Sequence, residues 1–341
     1  MTTVGLVGCG HISAAHLNGW ARSERCEVTT LFDTDRELAE RRRTEFGIPT
    51  VARSLTELIE RVDLVDICTP PKTHAAIVTQ SLRASRQVLV EKPVVTTVEE
   101  WEDVVDALGE DRERLSVIHN LKFAPSIQRA IEVARRGDIG QVISVDHEFL
   151  TDPTTDRMLA EPHWSHELLG GRWSETLPHP LYLFHAIAGP LGLVGVAAVD
   201  ADSDLLGTKT AEAIVTLASE NTIGTIRFSG RCHENRRMLT IQGSSGRIVV
   251  DELSDAWWIE RRQDSKARRV VGISAMAMAS AVAQSTASRA TYVRRRIRGE
   301  TPHSEIIEHI GRFLNSEGPP PTPFDEIDYV VRMGAKISER L

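Results

Sequence analysis

A lysine at the end of an apolar run is the first residue of this sequence placed for chemistry. Val88-Leu89-Val90 predicts a buried strand, and Glu91-Lys92-Pro93 follows it directly. Open α/β sheets bind ligands outside the carboxyl ends of their parallel strands, and the proline restricts the backbone just beyond the lysine. The segment therefore predicts hydride chemistry on a hydroxyl group, because a lysine there can stabilise charge on the reacting oxygen.

A glycine pattern near the N-terminus supplies a candidate cofactor site. Gly8 and Gly10, followed by His11, Ile12 and Ser13, lie where the first predicted strand turns into the first helix. Glycines there let backbone N–H groups approach a pyrophosphate at the helix N-terminus. The pattern by itself is also compatible with an ordinary strand-to-helix turn.

Asp33 supports the cofactor interpretation. It ends the second predicted strand, 23 residues after Gly10, where a carboxylate accepts hydrogen bonds from the adenosine ribose hydroxyls. The same carboxylate would repel a ribose phosphate, which favours NAD over NADP. The alternative is a loop residue that caps the helix beginning near Asp35. Thr69, Pro70 and His74 follow the fourth predicted strand and offer a second loop for cofactor contact. Glu91 and Lys92, at the end of the fifth strand, are also expected to contact the cofactor.

Four motifs, in order, resemble those of the glucose-fructose oxidoreductase and inositol dehydrogenase family, often written Gfo/Idh/MocA. They are Gly8-x-Gly10-x-x-Ser13-x-x-His16, Asp33, Thr69-Pro70-x-x-x-His74 and Glu91-Lys92-Pro93. The resemblance implies a Rossmann domain, a C-terminal domain whose open sheet often forms an oligomer interface, and an active site between the two. It also implies a substrate that is a sugar, a polyol or a nucleotide-activated sugar.

The resemblance further implies a catalytic group formed by Lys92 and a distant histidine that matches His179. Alcohol oxidation needs a group that exchanges a proton near neutral pH, which histidine does without perturbation. We therefore expect His179 to transfer the proton and Lys92 to stabilise the developing alkoxide. Glu175 and Tyr182 stand where related sequences usually carry aspartate, and the Tyr182 phenol is expected to donate to a substrate oxygen. Because Pro180 disfavours helical geometry at His179, we expect Glu175 to orient the histidine from a bend.

Further polar residues have two interpretations each. Lys122 matches a basic residue near the substrate pocket of related sequences, and a solvated surface lysine is the alternative. His166 is expected to contact substrate or to pack. A metal site built from His163, His166, His179 and His185 is disfavoured because no ligand spacing closes it, so no metal is predicted.

The elements that must position these residues fall into two groups. In the first 120 residues, short apolar runs alternate with helical patterns, which predicts a doubly wound parallel sheet. Its six predicted strands are Thr3 to Val7, Glu27 to Phe32, Thr50-Val51, Leu64 to Ile67, Gln87 to Val90 and Leu115 to Ile118. Asp35 and Gly47 are predicted to bound the helix from Arg36 to Phe46.

From residue 121 to 341 the pattern predicts an α+β domain with a large open, mainly antiparallel sheet arranged as a meander. Its predicted strands are Val142 to Leu150, Ala211 to Ala218, Ile223 to Arg231, Arg237 to Gln242, Arg247 to Val250 and Ala256 to Arg261. Helices are predicted near Ser126 to Arg136, Ser304 to Leu314 and Glu326 to Glu339. The proline-rich segment from Gly318 to Pro323 is predicted to be a rigid spacer.

Composition excludes several classes of function. The chain has 341 residues, 41% hydrophobic and 26% charged, with a formal net charge of −8. That balance argues against nucleic acid as the main partner. The N-terminus lacks the features of a secretory signal, and no apolar run, including Ile273 to Val282, approaches the roughly 20 residues of a membrane span, so we expect a cytoplasmic protein. The four cysteines are expected to be buried free thiols.

A basic segment from Arg289 to Arg298 has three interpretations: a solvated helix face, a patch for substrate phosphates or lipid, or an oligomer contact.

The sequence thus predicts an NAD-dependent oxidoreductase acting on a hydroxyl or ketone carbon of a sugar-like substrate. We expect a homodimer or homotetramer formed through the C-terminal sheet. Two alternatives are a non-catalytic NAD-binding regulator and an NAD-assisted glycoside hydrolase of the same fold.

Overall fold

A computed structural model of the chain describes residues 1–160, 162–201, 209–261, 282–283, 286, 293–295 and 300–341. It divides into two compact units. The first comprises Met1–Phe123 with Gly299–Arg332, and the second comprises Ala124–Arg298 with Met333–Leu341. The domain boundary expected after residue 120 stays a prediction.

The first unit contains a six-stranded sheet in which all strands are parallel. Its strands are β1 (Thr2–Val7), β2 (Cys26–Phe32), β3 (Thr50–Val51), β4 (Leu64–Ile67), β5 (Gln87–Val90) and β6 (Leu115–Val117). They lie in the order β3-β2-β1-β4-β5-β6. This is the predicted doubly wound sheet, with the six strands at the predicted positions. The strand order reverses at β1, between β2 and β4, which is where such sheets bind nucleotides.

The helices are, in chain order, α1 (Ser13–Trp20), α2 (Arg36–Phe46), α3 (Leu55–Arg61), α4 (His74–Arg83), α5 (Val98–Leu108), α6 (Pro125–Arg135), α7 (Arg157–Ala160), α8 (Gly171–Thr176), α9 (Pro178–Ala188), α10 (Pro302–Leu314) and α11 (Phe324–Ser338). Among the described residues, helices α1 to α5 lie between the strands of the first sheet as predicted, and α6, α10 and α11 lie near their predicted positions, whereas α7, α8 and α9 were not predicted.

The ends of α2 follow the prediction. Asp35 caps the helix by accepting a hydrogen bond from the Leu38 N–H, and Gly47 ends it with a φ of 68°. Both are local effects: a carboxylate satisfies an unpaired N–H, and glycine adopts the left-handed conformation without a steric penalty.

The proline-rich spacer connects α10 to α11 and is hydrogen-bonded to β6. Thr322 is buried, and its hydroxyl accepts a hydrogen bond from the Val117 N–H at 3.1 Å. Two residues of α11, which follows the spacer, contact the fully buried Trp101 of α5. The indole N–H of Trp101 donates to Asp328 at 2.8 Å, and its ring stacks on Phe324. The segment thereby seals the edge of the first sheet at β6.

The second unit contains a seven-stranded sheet. Its strands are β7 (Val142–Leu150), β8 (Gly192–Asp200), β9 (Thr210–Ala218), β10 (Ile223–Ser229), β11 (Arg236–Gly243), β12 (Gly246–Asp251) and β13 (Ala256–Arg261). The order is β13-β12-β11-β7-β10-β9-β8. The predicted class, a large and mainly antiparallel sheet, is confirmed.

Two details of that sheet differ from the prediction. First, β7 lies between β10 and β11 and is parallel to β10, so a simple meander is wrong at the centre of the sheet. Second, β8 was not predicted. Its sequence contains Gly192 and Gly195 and lacks apolar alternation, because it forms an edge strand with most residues exposed or half-buried.

The helical state of His179 is another difference. The expected bend is wrong: His179 lies in α9, between Pro178 and Pro180. Both prolines occupy the first turn of the helix, where the backbone N–H groups have no intrahelical acceptor, so proline costs no hydrogen bond there. Leu177 joins α8 to α9 with helical dihedral angles.

Several predicted features have simple outcomes. Cys9, Cys26 and Cys68 are buried free thiols as expected, whereas Cys232 is only half-buried. None of the helices that the structure describes has the length and apolar character to cross a membrane. The run from Ile273 to Val282 lies almost entirely outside the described residues, as do Arg289, Arg296 and Arg298 of the basic segment.

Candidate active site

The glycine turn has the geometry of a phosphate-binding loop. Gly8 has a φ of 90°, and a Cβ there would lie 2.8 Å from the Thr69 backbone nitrogen. Only glycine therefore lets the loops after β1 and β4 approach this closely. A Cβ at Gly10 would meet no atom within 4 Å, so the turn is open on that side. Ser13 begins α1 and donates to the Gly10 carbonyl at 2.6 Å.

Asp33 is tied to that turn. One carboxylate oxygen accepts from the Cys9 N–H at 2.7 Å, and the other accepts from the Asp35 N–H at 2.8 Å. Since Asp35 caps α2, Asp33 is not the cap of that helix. Arg42, which the sequence analysis missed, donates to the Cys9 and Gly10 carbonyls at 3.2 Å each. The Asp33 carboxylate thus binds a backbone N–H group of the turn, and the Arg42 guanidinium binds two of its backbone carbonyl groups.

His74 connects the two other loops at this edge. It is fully buried, and its two ring nitrogens lie 2.9 Å from the Pro93 carbonyl and 2.7 Å from the Thr69 carbonyl. Burial lowers the pKa of His74, and the two carbonyl contacts oppose that effect. Pro70 precedes a short 3-10 helix from Pro71 to Thr73 that leads into α4. His74 therefore holds the Thr69 and Lys92 loops at a fixed separation.

Glu91 is the centre of a second buried network. Its Oε1 lies 3.0 Å from His16 Nε2 and 3.3 Å from His303 Nε2. Its Oε2 accepts from the backbone N–H of Lys92 at 3.1 Å. The two histidines hold the pKa of Glu91 well below its usual range, although burial acts in the opposite direction. Lys92 itself is half-buried.

His16 joins this network to β4. Its Nδ1 lies 2.9 and 3.0 Å from the two oxygens of Asp66, which also accepts from Trp20 at 2.7 Å. A ring with a carboxylate at each nitrogen is best satisfied as an imidazolium, since both nitrogens then donate. Burial alone would lower the pKa of His16, but the Asp66 carboxylate holds it well above its usual value. The sequence placed His16 in a motif without assigning it this function.

The ring nitrogens, thiols and carboxylates here are close enough to consider a metal ion. Among the described residues, two groups qualify: His16 with Asp66 and Cys68, and His16 with Glu91 and His303. Hydrogen bonds already account for these contacts. The histidines between residues 163 and 185 form no such group within the described part of the chain.

Lys122 is not a solvated surface lysine. Its side chain is 11% exposed, and its Nζ lies 2.6 Å from Glu326, which also accepts from His119 at 2.6 Å. Burial would raise the pKa of Glu326, but His119 and Lys122 together lower it. The lysine therefore belongs to a buried ion-pair network in the first unit.

In the second unit, His179 and Tyr182 form a pair on α9. The His179 Nδ1 lies 2.7 Å from the Tyr182 hydroxyl oxygen, and the two rings meet edge to face. Tyr182 is fully buried, whereas His179 is half-buried. The tyrosine is thus well placed to fix the orientation and the tautomer of the histidine.

Glu175 lies in α8 and is 8% exposed. Its Oε2 accepts from Arg172 at 2.9 Å, and Arg172 also donates to Asp156 at 3.2 Å. The sequence analysis did not identify this arginine. His166 lies in a 3-10 helix, and its Nε2 contacts the Met158 carbonyl.

The parallel sheet, the glycine turn and the acidic end of β2 define a Rossmann-type nucleotide-binding protein. A family model described as "Oxidoreductase family, NAD-binding Rossmann fold" matches residues 2–119. These residues therefore match the NAD-binding domain of the Gfo/Idh/MocA oxidoreductase family, and the resemblance recognised from the four motifs is confirmed over this part of the chain.

Similar proteins agree with this class. An uncharacterized oxidoreductase of Streptococcus pneumoniae is 30% identical over 145 residues, which are 42% of this chain and 39% of that protein. The match therefore spans less than half of that relative. A dTDP-3,4-didehydro-2,6-dideoxy-α-D-glucose 3-reductase of Saccharopolyspora spinosa is 26% identical over 254 residues, covering 73% of this chain and 74% of that enzyme.

Solved structures share the whole fold. The WlbA dehydrogenase of Bordetella pertussis, in complex with NADH and UDP-GlcNAcA, superposes with a TM-score of 0.76. The alignment covers 99% of this chain and 95% of that one at 18% identity. The predicted fold class is thus confirmed. The oxidoreductase class is confirmed by the family model and the curated relatives, not by this superposition.

Proposed function

We propose that this protein transfers a hydride between NAD and a hydroxyl or ketone carbon of a sugar, a polyol or a nucleotide-activated sugar. One observation carries the proposal. The loops after β1, β2, β4 and β5 all lie at the carboxyl ends of the parallel strands. They carry the glycine turn, Asp33, Thr69 and Lys92. Relatives that act on sugar nucleotides support the substrate class.

The glycine turn would hold the cofactor. Backbone N–H groups at Gly10, His11 and Ile12 are available for the pyrophosphate at the start of α1, and Gly8 permits the close approach. Asp33 would accept hydrogen bonds from the adenosine ribose, and its charge would disfavour a 2′-phosphate, so NAD is the expected form. The bound nicotinamide supplies a hydride acceptor, or a donor in the reverse direction.

Thr69 and Pro70 would flank the nicotinamide half of the cofactor. His74 and Glu91 contribute by fixing the backbones of the two loops, since both side chains are buried and hydrogen-bonded.

His179 is the proposed base. When its Nδ1–H donates to Tyr182, the lone pair lies on Nε2, which accepts the hydroxyl proton as the carbon loses its hydride and becomes a carbonyl. Lys92, held by its backbone bond to Glu91, donates to the same oxygen and stabilises the developing negative charge. In reduction the proton returns from His179 to that oxygen. Glu175 acts indirectly, by fixing Arg172 and the end of α8.

Lys122, His166 and Tyr182 remain proposed contributors to substrate binding. Lys122 would act through its network with Glu326, and His166 through the loop that it ties to Met158. The side chains of Lys122 and His166 are both partly buried and hydrogen-bonded.

A nicotinamide assay with the purified protein tests the function. Absorbance of the reduced ring would be followed with NAD and NADP, in both directions, across sugars, inositols and nucleotide sugars. We expect turnover with at least one of them and a preference for NAD. Tight NAD binding without turnover on any substrate would favour the regulator, and glycoside cleavage without net reduction would favour the hydrolase.

A further inference from the structure

An unusual arginine lies on the helix-covered face of the second sheet. Arg237 in β11 is opposite Phe149 of β7, and its guanidinium carbon lies 4.3 Å from the centre of that ring. Arg237 is half-buried. Although this position removes much of its hydration, the described residues offer its N–H groups neither a hydrogen-bond acceptor nor an ion-pair partner within bonding distance.

The neighbouring arginine is different. The guanidinium carbon of Arg172 lies 5.4 Å from the centre of the same ring. Its N–H groups donate hydrogen bonds to Asp156, Glu175 and Thr176. Two arginines therefore flank one aromatic ring, and only Arg172 has its hydrogen bonds satisfied within the described chain.

The surroundings of Arg237 contain further polar atoms without partners. Glu252 follows β12 next to Arg237, with its backbone N–H donating to the Arg237 carbonyl at 3.0 Å. Its Oε1 lies 3.0 Å from the His147 ring, while Glu252 Oε2 and His147 Nδ1 are buried and unpaired in the described structure. Buried polar groups are rarely left unsatisfied, so the cluster indicates a ligand that carries both an acceptor for the Arg237 N–H groups and a hydroxyl donor for Glu252 Oε2.

We infer that Arg237 binds a carboxylate of the substrate, so that the sugar-like substrate of the proposed function is an acidic one. A guanidinium over an aromatic ring can still donate to acceptors through its N–H groups, and their geometry matches the two oxygens of a carboxylate in a bidentate pair. The inference rests on the proposed function, because it assigns this binding group to the substrate of that reaction.

The charges around Arg237 favour a carboxylate over a phosphate. Three carboxylates, those of Asp156, Glu175 and Glu252, and one other guanidinium lie within its electrostatic reach. Burial lowers the pKa of Arg237, and Glu252 opposes that effect most strongly. Because these three carboxylates outnumber the two guanidinium groups, each further negative charge in the cluster is opposed, and a carboxylate adds one such charge where a phosphate dianion adds two.

The position also suits a substrate of His179. Glu175 lies within the electrostatic environment of Arg237 and precedes His179 by one helical turn in sequence, across the junction of α8 and α9. A carboxylate held by Arg237 would thus be bound within the same unit that carries the proposed base.

The test uses the full-length protein saturated with NADH. Isothermal titration calorimetry would measure the dissociation constants of D-glucuronate, D-glucose and D-glucose 6-phosphate for the wild type, Arg237→Gln, Arg237→Lys and Arg236→Gln. Arg236 is the matched control, because it is adjacent in β11 but exposed on the other face, beside Glu148 and Glu234.

We expect glucuronate to bind the wild type about tenfold more tightly than glucose does, as one charge-assisted pair predicts. Arg237→Gln should abolish that preference and leave glucose binding unchanged, Arg237→Lys should retain part of it, and Arg236→Gln should retain all of it. Equal affinity for glucuronate and glucose would overturn the inference. So would a preference that survives Arg237→Gln, or a stronger preference for the phosphate.

The outcome is separable from that of the proposed function. Hydride transfer from neutral sugars without any preference for the carboxylate would leave the function intact and remove the subsite. Arg237-dependent binding of glucuronate, without hydride transfer from any substrate, would do the reverse. Circular dichroism of each variant separates loss of binding from loss of folding.

Discussion

At the scale of single residues, His16 supplies a buried imidazolium in the first unit. It lies between the carboxylates of Asp66 and Glu91. Its raised pKa gives stability that is full below the pKa of an unfolded histidine and is lost as pH rises through the higher folded value. The lowered pKa of Glu91 gives stability that is full above the unfolded carboxyl value and is lost as pH falls through the lower folded one. The window of full stabilisation therefore runs from about pH 4.5 to 6.5.

We predict that His16→Gln lowers the free energy of unfolding at pH 7.5 by about 3–5 kcal/mol, because two buried carboxylates lose their shared cation. At pH 5 the loss should be larger, since the stability that comes from the raised pKa of His16 is full there and is partly lost at pH 7.5. Urea unfolding at several pH values measures this, with the exposed His11→Gln as the control for histidine loss. An equal loss at pH 5 and 7.5 would mean that the charge of His16 is unimportant.

His179 and Tyr182 give a second prediction at this scale. His179→Gln should lower the rate of hydride transfer about 10²-fold or more and remove the rise of that rate with pH that reports the base. Tyr182→Phe should lower the rate less, because the base remains and only its orientation weakens. Stopped-flow measurements across pH would follow this, with the exposed His233→Gln as control. Retention of the full rate without His179 would refute its assignment as base.

At the scale of elements, the glycine turn couples β1 to the loop after β4. Gly8 combines a φ of 90° with a backbone atom 2.8 Å from the place of a Cβ. Gly47 has a φ of 68° but open space around it. At both positions the φ would strain any residue other than glycine. Of the two, only Gly8 also has atoms close to the place of a Cβ.

We predict that Gly8→Ala raises the NADH dissociation constant more than tenfold, because the Thr69 loop must move away from the turn. Gly47→Ala should leave NADH binding unchanged, while both variants should lose about 1 kcal/mol or more of stability from the strained φ. Fluorescence titration with NADH and urea unfolding separate the two effects. Equal NADH affinity in the two variants would contradict the steric argument.

At the scale of the whole molecule, local signals made the parallel sheet predictable from sequence. Apolar runs fix β1 to β6, and Asp35 and Gly47 bound α2 through backbone hydrogen bonding and a left-handed turn. The edge strand β8 was missed because an exposed strand carries little apolar pattern. The helical state of His179 was missed because proline restricts a helix interior, whereas its first turn tolerates proline.

Some residues of the candidate site were likewise predictable from the sequence, and others were not. Asp33 and Lys92 follow strands, so their place at the sheet edge was predictable from position alone. Arg42 and Arg237 were not, because the Cys9 carbonyl and the Phe149 ring that they contact are far away in sequence. Arg172 was missed because α8, the helix that places it beside Glu175, was not predicted. Glu91 was assigned to the cofactor site, yet its contacts with His16 and His303 come from helices 75 and 212 residues distant, and no local pattern encodes them.

The open face of the second sheet carries the prediction of a homo-oligomer. Val199, Ile214 and Ile223 lie on the face opposite the buried residues of β9 and are 54%, 47% and 54% exposed. Because Ile214 lies opposite the exposed Arg227 and Val199 lies opposite Glu212, these side chains form a mixed apolar and charged patch that a second copy of the chain could cover. We propose that this face forms the contact of the expected homodimer or homotetramer.

We predict that Ile214→Lys converts the oligomer to a monomer, because a charged side chain at the centre of the patch cannot be desolvated without a partner. Light scattering after size-exclusion chromatography measures the mass. Stability of the protomer should change by less than about 0.5 kcal/mol, since the residue is exposed there. Leu253→Lys is the matched control, because Leu253 is 44% exposed but lies in the turn after β12. A monomeric wild type, or an unchanged mass for Ile214→Lys, would exclude this face as the subunit contact.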